Sequence, residues 1–274
     1  MVGMPQVCPQ LPYLWLLFGN PFPLEQPARP DIPLFQKSAA FPRDKHQQQQ
    51  PRTLDPATRF SELEWRKGAG LVFPTEFTHP SASATPTDLF KVFRPKNGLL
   101  KYVHRTDAFT ALIFIAGTCP DRRTPDPKAG WALVHARAPA RPITQKSKRP
   151  FGDDGSQTSN RAELRAALAT LRFEFGPNEE GFRTLVIVIN SKYVVEGSTT
   201  WAETWIEKQW KTSEGEDVAN RDLWEALLGE IEKAKERNMA VQFWKIPKEW
   251  NVDAHDAAMK ATEQPAADSF QDQI

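Results

Sequence analysis

Hydrophobic positions change their spacing several times over the last two thirds of the chain, and each change predicts a new element. Residues 109–116 are rich in branched and aromatic side chains and predict a buried strand. Shorter apolar runs at 130–136 and 143–148 predict two further strands in antiparallel order. Residues 184–189 are unbroken branched aliphatics, typical of a strand that is buried on both faces. Residues 239–246 predict the last strand.

Leucines at helical spacing predict a helix that opens near residue 157, between the third and fourth strands. Asn160 is its predicted N-cap, and Glu163 three residues later could complete a capping box. Small residues on this helix would let it lie close to a sheet. Further helices are predicted within 201–210, within 220–237 and after the cap residue Asn251. The predicted order of elements is therefore βββαβααβα.

The first 95 residues have a different composition. They are dense in proline, glutamine, serine and threonine and lack a sustained period of 3.6 or 2. We therefore predict a mostly disordered extension at 1–95, a folded domain at 96–264 and a disordered tail at 265–274. Within the extension, Ser61–Lys67 could form a helical turn, and Leu89–Tyr102 could pad the edge of the domain.

Composition narrows the class of protein only a little. The chain has 274 residues, 40% of them hydrophobic, and a net charge of +1, which fits one ordinary domain with extra segments. Cys8 and Cys119 are the only cysteines, so a disulfide framework is excluded and a reducing compartment is expected. The apolar run 11–18 is too short for a membrane span and lacks a basic leader, so we expect an intracellular protein without a membrane partner.

Three motifs follow one another along this chain. They are T-S-N-R-A-E-L at 158–164, L-V-I-V-I-N-S-K-Y-V at 185–194, and F-W-K-I-P at 243–247 with Asn251 after it. Together they resemble the type 1 ribonuclease H family, from about residue 98 to about residue 262. The resemblance implies an α/β, ribonuclease H-like fold: a five-stranded mixed sheet with helices on both faces. It also implies hydrolysis of the RNA strand of an RNA–DNA hybrid by two magnesium ions about 4 Å apart.

The family holds these ions with four carboxylates that converge at the carboxyl ends of the strands. The matching positions in this chain are Ala116, Glu163, Asn190 and His255, so only Glu163 keeps the expected carboxylate. Asp256 follows one residue after His255, about 100° further around the helix, and is an alternative ligand. The resemblance therefore implies a family member with a degenerate ligand set and impaired catalysis, with Mg²⁺ or Mn²⁺ as cofactor only if activity is retained. His255 as a helix-start histidine and Asn190 as a turn-satisfying amide are the structural alternatives.

Residues that would bind nucleic acid are judged separately from the metal ligands. Asn160 matches a family position that contacts the minor groove of the hybrid, where 2′-hydroxyls mark the RNA strand. Between Pro127 and Gly152 there is no acidic residue, so this segment could follow phosphates or be a solvated loop. Its candidate phosphate contacts are Arg141, Lys146, Lys148 and Arg149.

Residues 201–224 resemble the segment with which the family grips its substrate. Trp205, Trp210 and Lys211 are the candidate contacts, although acidic residues outnumber basic ones here and tryptophans at this spacing often pack internally. Three hypotheses remain: a binder of RNA–DNA hybrid or duplex RNA with little cleavage, an active hybrid ribonuclease with rearranged ligands, and a protein-interaction scaffold whose partner contacts residues 201–224.

Overall fold

Eight strands form one mixed sheet in the computed structural model, which describes residues 66–81, 83–94, 100–136, 143–146 (backbone only), 156–173 and 181–265. The strands are β1 Thr75–Glu76, β2 Phe90–Phe93, β3 Lys101–His104, β4 Thr110–Thr118, β5 Gly130–Val134, β6 Ile143–Lys146, β7 Thr184–Ile189 and β8 Ala240–Lys245.

Strand β4 is the centre of the sheet. On one side it pairs in parallel with β7, which continues in parallel to β8 and β1. On its other side the first half of β4 pairs with β3 and the second half with β5, both antiparallel. The hairpin partner of β3 is β2, and that of β5 is β6. The five predicted strands are thus present in the order β6-β5-β4-β7-β8, and the α/β fold class is confirmed.

The sheet has three strands more than the five predicted, β1, β2 and β3, each two to four residues long.

The helices are α1 Pro86–Leu89, α2 Ser159–Arg172, α3 Lys192–Glu196, α4 Ala202–Glu207, α5 Arg221–Glu236 and α6 Val252–Ala261. A π-helical segment, Gly197–Trp201, joins α3 to α4, and a 3₁₀ turn, Lys248–Trp250, precedes α6. The helix predicted within 201–210 is α4, and that prediction is confirmed. Helix α3 was not predicted; the side chain of Ser191 caps it by accepting the amide of Val194. None of the helices that the structure describes is long and apolar enough to cross a membrane.

Helices cover both faces of the sheet. On one face, α2 packs on β4, and α5 packs on α2 and β8, with Leu164, Leu227 and Ile113 in one core. On the other face, Ala254 and Ala258 of α6 pack on Ala116, and this pairing of small residues lets α6 lie close to β4. A third cluster on that face joins Phe90 and Tyr102 to Trp244.

Residues 66–81 and 83–94 lie within the extension that was predicted to be mostly disordered, and part of this segment packs on the domain. Lys67 forms an ion pair with Glu225 of α5 at 2.8 Å, and the amide of Gly68 donates to the Glu225 carbonyl at 2.8 Å. A Cβ at Gly229 would lie 1.9 Å from the carbonyl oxygen of Arg66, so the chain rests directly on α5. Arg66 and Lys67 are not helical. The rest of the predicted extension, residues 1–65, and residues 266–274 of the tail lie outside the described residues.

Candidate active site

Helix α2 begins at Ser159, one residue before the predicted cap. Thr158 has extended backbone, with φ at −141°, and its hydroxyl accepts the amide of Arg161 at 3.1 Å. Thr158 is therefore the N-cap, and the prediction that Asn160 caps the helix is wrong. Asn160 instead lies in the first turn with an exposed side chain.

Glu163 lies one turn into α2, directly against the end of β4. A Cβ at Gly117 would lie 2.2 Å from the amide nitrogen of Glu163, so only glycine permits this approach of helix and strand. The hydroxyl of Ser191, which follows β7, donates to Oε2 of Glu163 at 2.6 Å. The start of α2 and the ends of β4 and β7 therefore meet at one place.

Asn251 brings the start of α6 to the same place. Its Nδ2 donates to the carbonyl of Ile115 at 2.8 Å and to Oδ1 of Asn190 at 3.3 Å. Asn251 occupies the N-cap position of α6 as predicted, but its side chain forms no capping bond: its Nδ2 donates to the sheet, and its Oδ1 accepts no amide of the helix among the described residues. His255 lies one turn further along, where its amide donates to the Asn251 carbonyl at 3.0 Å. The four sequence positions matched to metal ligands thus gather at the carboxyl ends of β4 and β7.

The charge at this site is low. Burial raises the pKa of Glu163 to about 7, although the hydrogen bond from Ser191 acts in the opposite direction. The pKa of His255 is lowered, first by burial and then by the positive charge of Lys248, against a smaller opposing effect of Asp256. Near neutral pH the site therefore holds a partly protonated carboxyl group and a mostly neutral imidazole.

Two magnesium ions do not fit this set of donors. Ala116 has no ligating side-chain atom and is buried against α6, and Oδ1 of Asn190 already accepts a hydrogen bond from Asn251. Within the described ranges, no group of three or more His, Cys, Asp or Glu side chains is placed to hold a metal ion. Asp256 is exposed, and Glu163 is the one family carboxylate retained. Magnesium requires several anionic or water oxygens in an octahedron, which these residues do not supply.

The predicted phosphate contacts are mostly outside the described part of the chain. Arg141, Lys148 and Arg149 fall outside it, and for Lys146 only the backbone at the end of β6 is described. Asn160, another predicted binding residue, is described in full. Its side chain is exposed, and it lies three residues before Glu163 on α2.

The tryptophans of residues 201–224 pack among themselves. The ring centroid of Trp205 lies 5.3 Å from that of Trp224 and 6.5 Å from that of Trp210, and Trp210 is only 7% exposed. Trp224 in turn donates to the hydroxyl of Tyr193 at 3.1 Å. Lys211 forms an ion pair with Asp217 at 2.7 Å. Trp210 is therefore mainly a packing residue, which was the structural alternative for this segment.

Sequence reasoning missed Arg161 and Ser191. Arg161 is buried and donates from Nη1 to Oδ1 of Asp222 at 2.9 Å, while its Nη2 pairs with Oδ2 of the same carboxylate. This two-bond ion pair joins the first turns of α2 and α5 and so fixes the helix start that carries Asn160. Both residues stand inside the motifs T-S-N-R-A-E-L and I-N-S, which was the signal available in the sequence.

Comparisons with known proteins place this fold in a family. The family model described as RNase H matches residues 110–264. The ribonuclease H of Hahella chejuensis is 33% identical over 136 residues, covering 50% of this chain and 78% of the relative. The ribonuclease H of Alcanivorax borkumensis is 32% identical over 122 residues, covering 44% and 72%. Among solved structures, LC9-RNase H1, a type 1 RNase H with the type 2 active-site motif, is 22% identical, with a TM-score of 0.40 over 61% of this chain and 80% of that one. The chain belongs to the RNase H family.

Proposed function

We propose that this RNase H-family domain binds RNA-containing duplexes, either RNA–DNA hybrid or double-stranded RNA, and cleaves them little or not at all. The observation that carries the proposal is the contrast at the candidate site. The exposed Asn160 stands at the start of α2, while Glu163 is the one carboxylate among the four positions matched to metal ligands.

Impaired cleavage is supported by what replaces the missing carboxylates. At the end of β4, Ala116 packs against alanines of α6, and at the end of β7 the amide of Asn190 is engaged by Asn251. Glu163 has a pKa of about 7, so its affinity for a divalent cation is reduced at neutral pH by competition with a proton. Two-metal hydrolysis needs both ions to neutralise the attacking and leaving oxygens.

Binding is supported by residues that do not take part in metal chemistry. Asn160 keeps the family's amide and is free of the capping role, which Thr158 performs. The curated relatives are ribonucleases H by name, which makes an RNA-containing duplex the first ligand to test. The predicted basic segment would add roughly three or four phosphate contacts.

The proposal is tested by titrating the full chain with hybrid, RNA and DNA duplexes of one sequence at two salt concentrations. We expect modest affinity, a slope of log affinity against log salt near −3, and loss of most of that slope when Arg141, Lys146, Lys148 and Arg149 are all changed to alanine. We also expect hybrid cleavage in Mg²⁺ or Mn²⁺ to be weak. Absence of binding to every duplex at low salt would contradict the binding proposal, and efficient cleavage would contradict the impairment.

One observation favours the scaffold alternative. Glu203, Glu207, Glu214 and Glu216 are all exposed on residues 201–224, and such a surface repels phosphate. Charge reversal of these four residues distinguishes the alternatives: it should strengthen duplex binding if this surface faces nucleic acid, and should leave it unchanged if the surface serves a basic protein partner.

A further inference from the structure

A segment that precedes the family match lies across two helices of the domain. Residues 66–77 form a strap that crosses α5, touches α4 and then continues as β1 beside β8. The match to the family begins only at residue 110. The strap therefore lies outside the matched region but is packed on helices that belong to it.

The strap is attached to α5 through two glutamates and the glycine between them. Glu232 is buried, and its carboxylate accepts the amide of Leu71 at 3.2 Å and Nη2 of Arg66 at 3.1 Å. Glu225, about two turns earlier on α5, also forms an ion pair with the strap. At Gly229 a Cβ would collide with the strap backbone. Because a buried carboxylate is costly to leave without donors, these contacts fix the strap on α5.

Helix α4 has little support from the rest of the domain. Of its six residues, only the first, Ala202, is buried. It packs extensively on no described element other than the π-helical segment that it continues. Beyond Ala202, its anchors are Trp205 and Ile206, which are partly buried and pack against the main core. The position of α4 therefore depends on what holds these two side chains.

The two anchors have different partners. Trp205 packs on Trp224 of α5, with ring centroids 5.3 Å apart. Ile206 lies against the strap at Gly70, where a Cβ would be 2.5 Å from its Cδ1 and 3.5 Å from its Cγ2. Gly70 has a φ of +74°, a conformation that glycine adopts without strain, so the strap backbone itself touches Ile206. One anchor is thus held from within the matched region and the other from outside it.

We propose that the strap is a positioning element for α4 and so sets the orientation of the segment that resembles the family's substrate-gripping part. Leu71, whose amide bonds to Glu232, follows Gly70 directly, so the contact with α4 and the contact with α5 move together. Helix α4 carries the exposed Glu203 and Glu207, and the strap therefore determines where this negative charge is presented. The inference holds whether that surface meets a duplex or a protein.

The test is amide hydrogen exchange, measured by element on the full chain carrying Gly229→Ala. The added methyl group collides with the carbonyl of Arg66 and displaces the strap, whereas α5 itself gains stability because alanine favours a helix more than glycine does. We expect the backbone amides of α4 to exchange about tenfold faster, because local opening of α4 then has one anchor less to break. Amides of α2 and β7 should keep their rates within about twofold.

A matched pair of variants loosens the strap without crowding it. Glu232 and Glu236 both pair with Arg66, but the side chain of Glu232 is 3% exposed and that of Glu236 is 59% exposed. Glu232→Gln should speed exchange of α4 about threefold, and Glu236→Gln should leave it unchanged. Glu232→Gln decides alone if Gly229→Ala does not fold. The proposal is overturned if exchange of α4 is unchanged when the strap is loosened, if α2 and β7 speed up as much as α4, or if the two glutamine variants act equally.

Discussion

Two helices reach the carboxyl ends of the central strands, and they present different chemistry there. Helix α2 presents an exposed amide, Asn160, and the retained carboxylate Glu163, held by a hydrogen bond from Ser191. Helix α6 presents His255 where the family resemblance expects a carboxylate, and the side-chain amide of its N-cap residue, Asn251, turns inward to the sheet. A duplex-binding surface can be carried largely by one helix start, whereas a two-metal site needs four elements at once. A two-metal site is therefore lost more easily than a duplex-binding surface.

The two helices are also held in place differently. The start of α2 is fixed by a buried ion pair between Arg161 and Asp222, whereas α6 lies on β4 through contacts of small apolar side chains such as Ala254 and Ala258. Helix α2 is thus held by charged pairs as well as by an apolar face in the main core, while α6 is held by close packing of small side chains. Substitutions at the two helices should accordingly change different measured properties of the protein.

The largest effect is expected at the ion pair. Arg161→Met removes one partner and leaves the carboxylate of Asp222 without its main counter-charge, so we expect the free energy of unfolding to fall by about 3 kcal/mol. Denaturant unfolding measures this. The matched control is Lys211→Met, whose pair with Asp217 is exposed at 48% and 83%, and there we expect a loss below about 1 kcal/mol. Equal losses in the two variants would show that the buried pair does not anchor α2.

The second prediction concerns a variant in which the missing carboxylate ligands are restored. The triple change Ala116→Asp, Asn190→Asp and His255→Asp should raise magnesium-dependent cleavage of a hybrid about a hundredfold, roughly 2.7 kcal/mol of barrier. Metal-free stability should fall, because the new carboxylates repel one another and one of them replaces a buried alanine. Adding Glu163→Gln to the triple variant should abolish the gain. If the unmodified chain already cleaves hybrids in magnesium as fast as the triple variant, the contrast between the two helices is wrong.

The central fold could be predicted from the sequence because its elements are long and strongly patterned. The run 184–189 gives β7 without error, and helix α5 differs from its predicted bounds by one residue at each end. Strand β4 was predicted to end before Gly117, but it continues to Thr118, because glycine there permits contact with α2 instead of breaking the strand. Patterns along one segment cannot report such a contact between two segments.

Features that depend on tertiary contacts were not predictable in this way. Thr158 and Asn160 are both good capping residues, and only the path of the backbone before α2 decides between them. The strands β1 to β3 form because neighbouring strands offer them free edges, which their own sequences do not encode. For the candidate site, the motifs supplied the positions, but the inward turn of Asn251 and the raised pKa of Glu163 follow from burial.

The third prediction concerns pH and the retained carboxylate. The pKa of Glu163 is about 7 in the folded protein, above its ordinary value of 4.5, so the folded state keeps a proton that the unfolded state releases between these values. Stability should therefore fall as pH rises through this window, by about 2 kcal/mol after allowance for partial exposure. Glu163→Gln should remove that slope and be the more stable form at the upper end. Glu203→Gln, at an exposed glutamate of α4, is the control, and a slope that survives Glu163→Gln would contradict the assignment.

The smallest effects separate binding from folding within the first turn of α2. Thr158→Ala removes the cap and should lower the free energy of unfolding by about 1 kcal/mol. Asn160→Ala leaves the cap in place and should leave the melting temperature unchanged. It should instead weaken the preference for RNA-containing duplexes over DNA by about 1 kcal/mol, through loss of one hydrogen bond to a 2′-hydroxyl.

Titrations of hybrid, RNA and DNA duplexes at two salt concentrations, with a melting curve for each variant, measure both quantities. The salt slope should stay the same in Asn160→Ala, since an amide neutralises no phosphate and releases no counterion. If Asn160→Ala lowers stability and leaves the preference for RNA intact, the residue has a structural role after all. In that case the start of α2 would no longer differ from the start of α6 in what it offers to a nucleic acid, and duplex binding would have to rest on the basic segment alone.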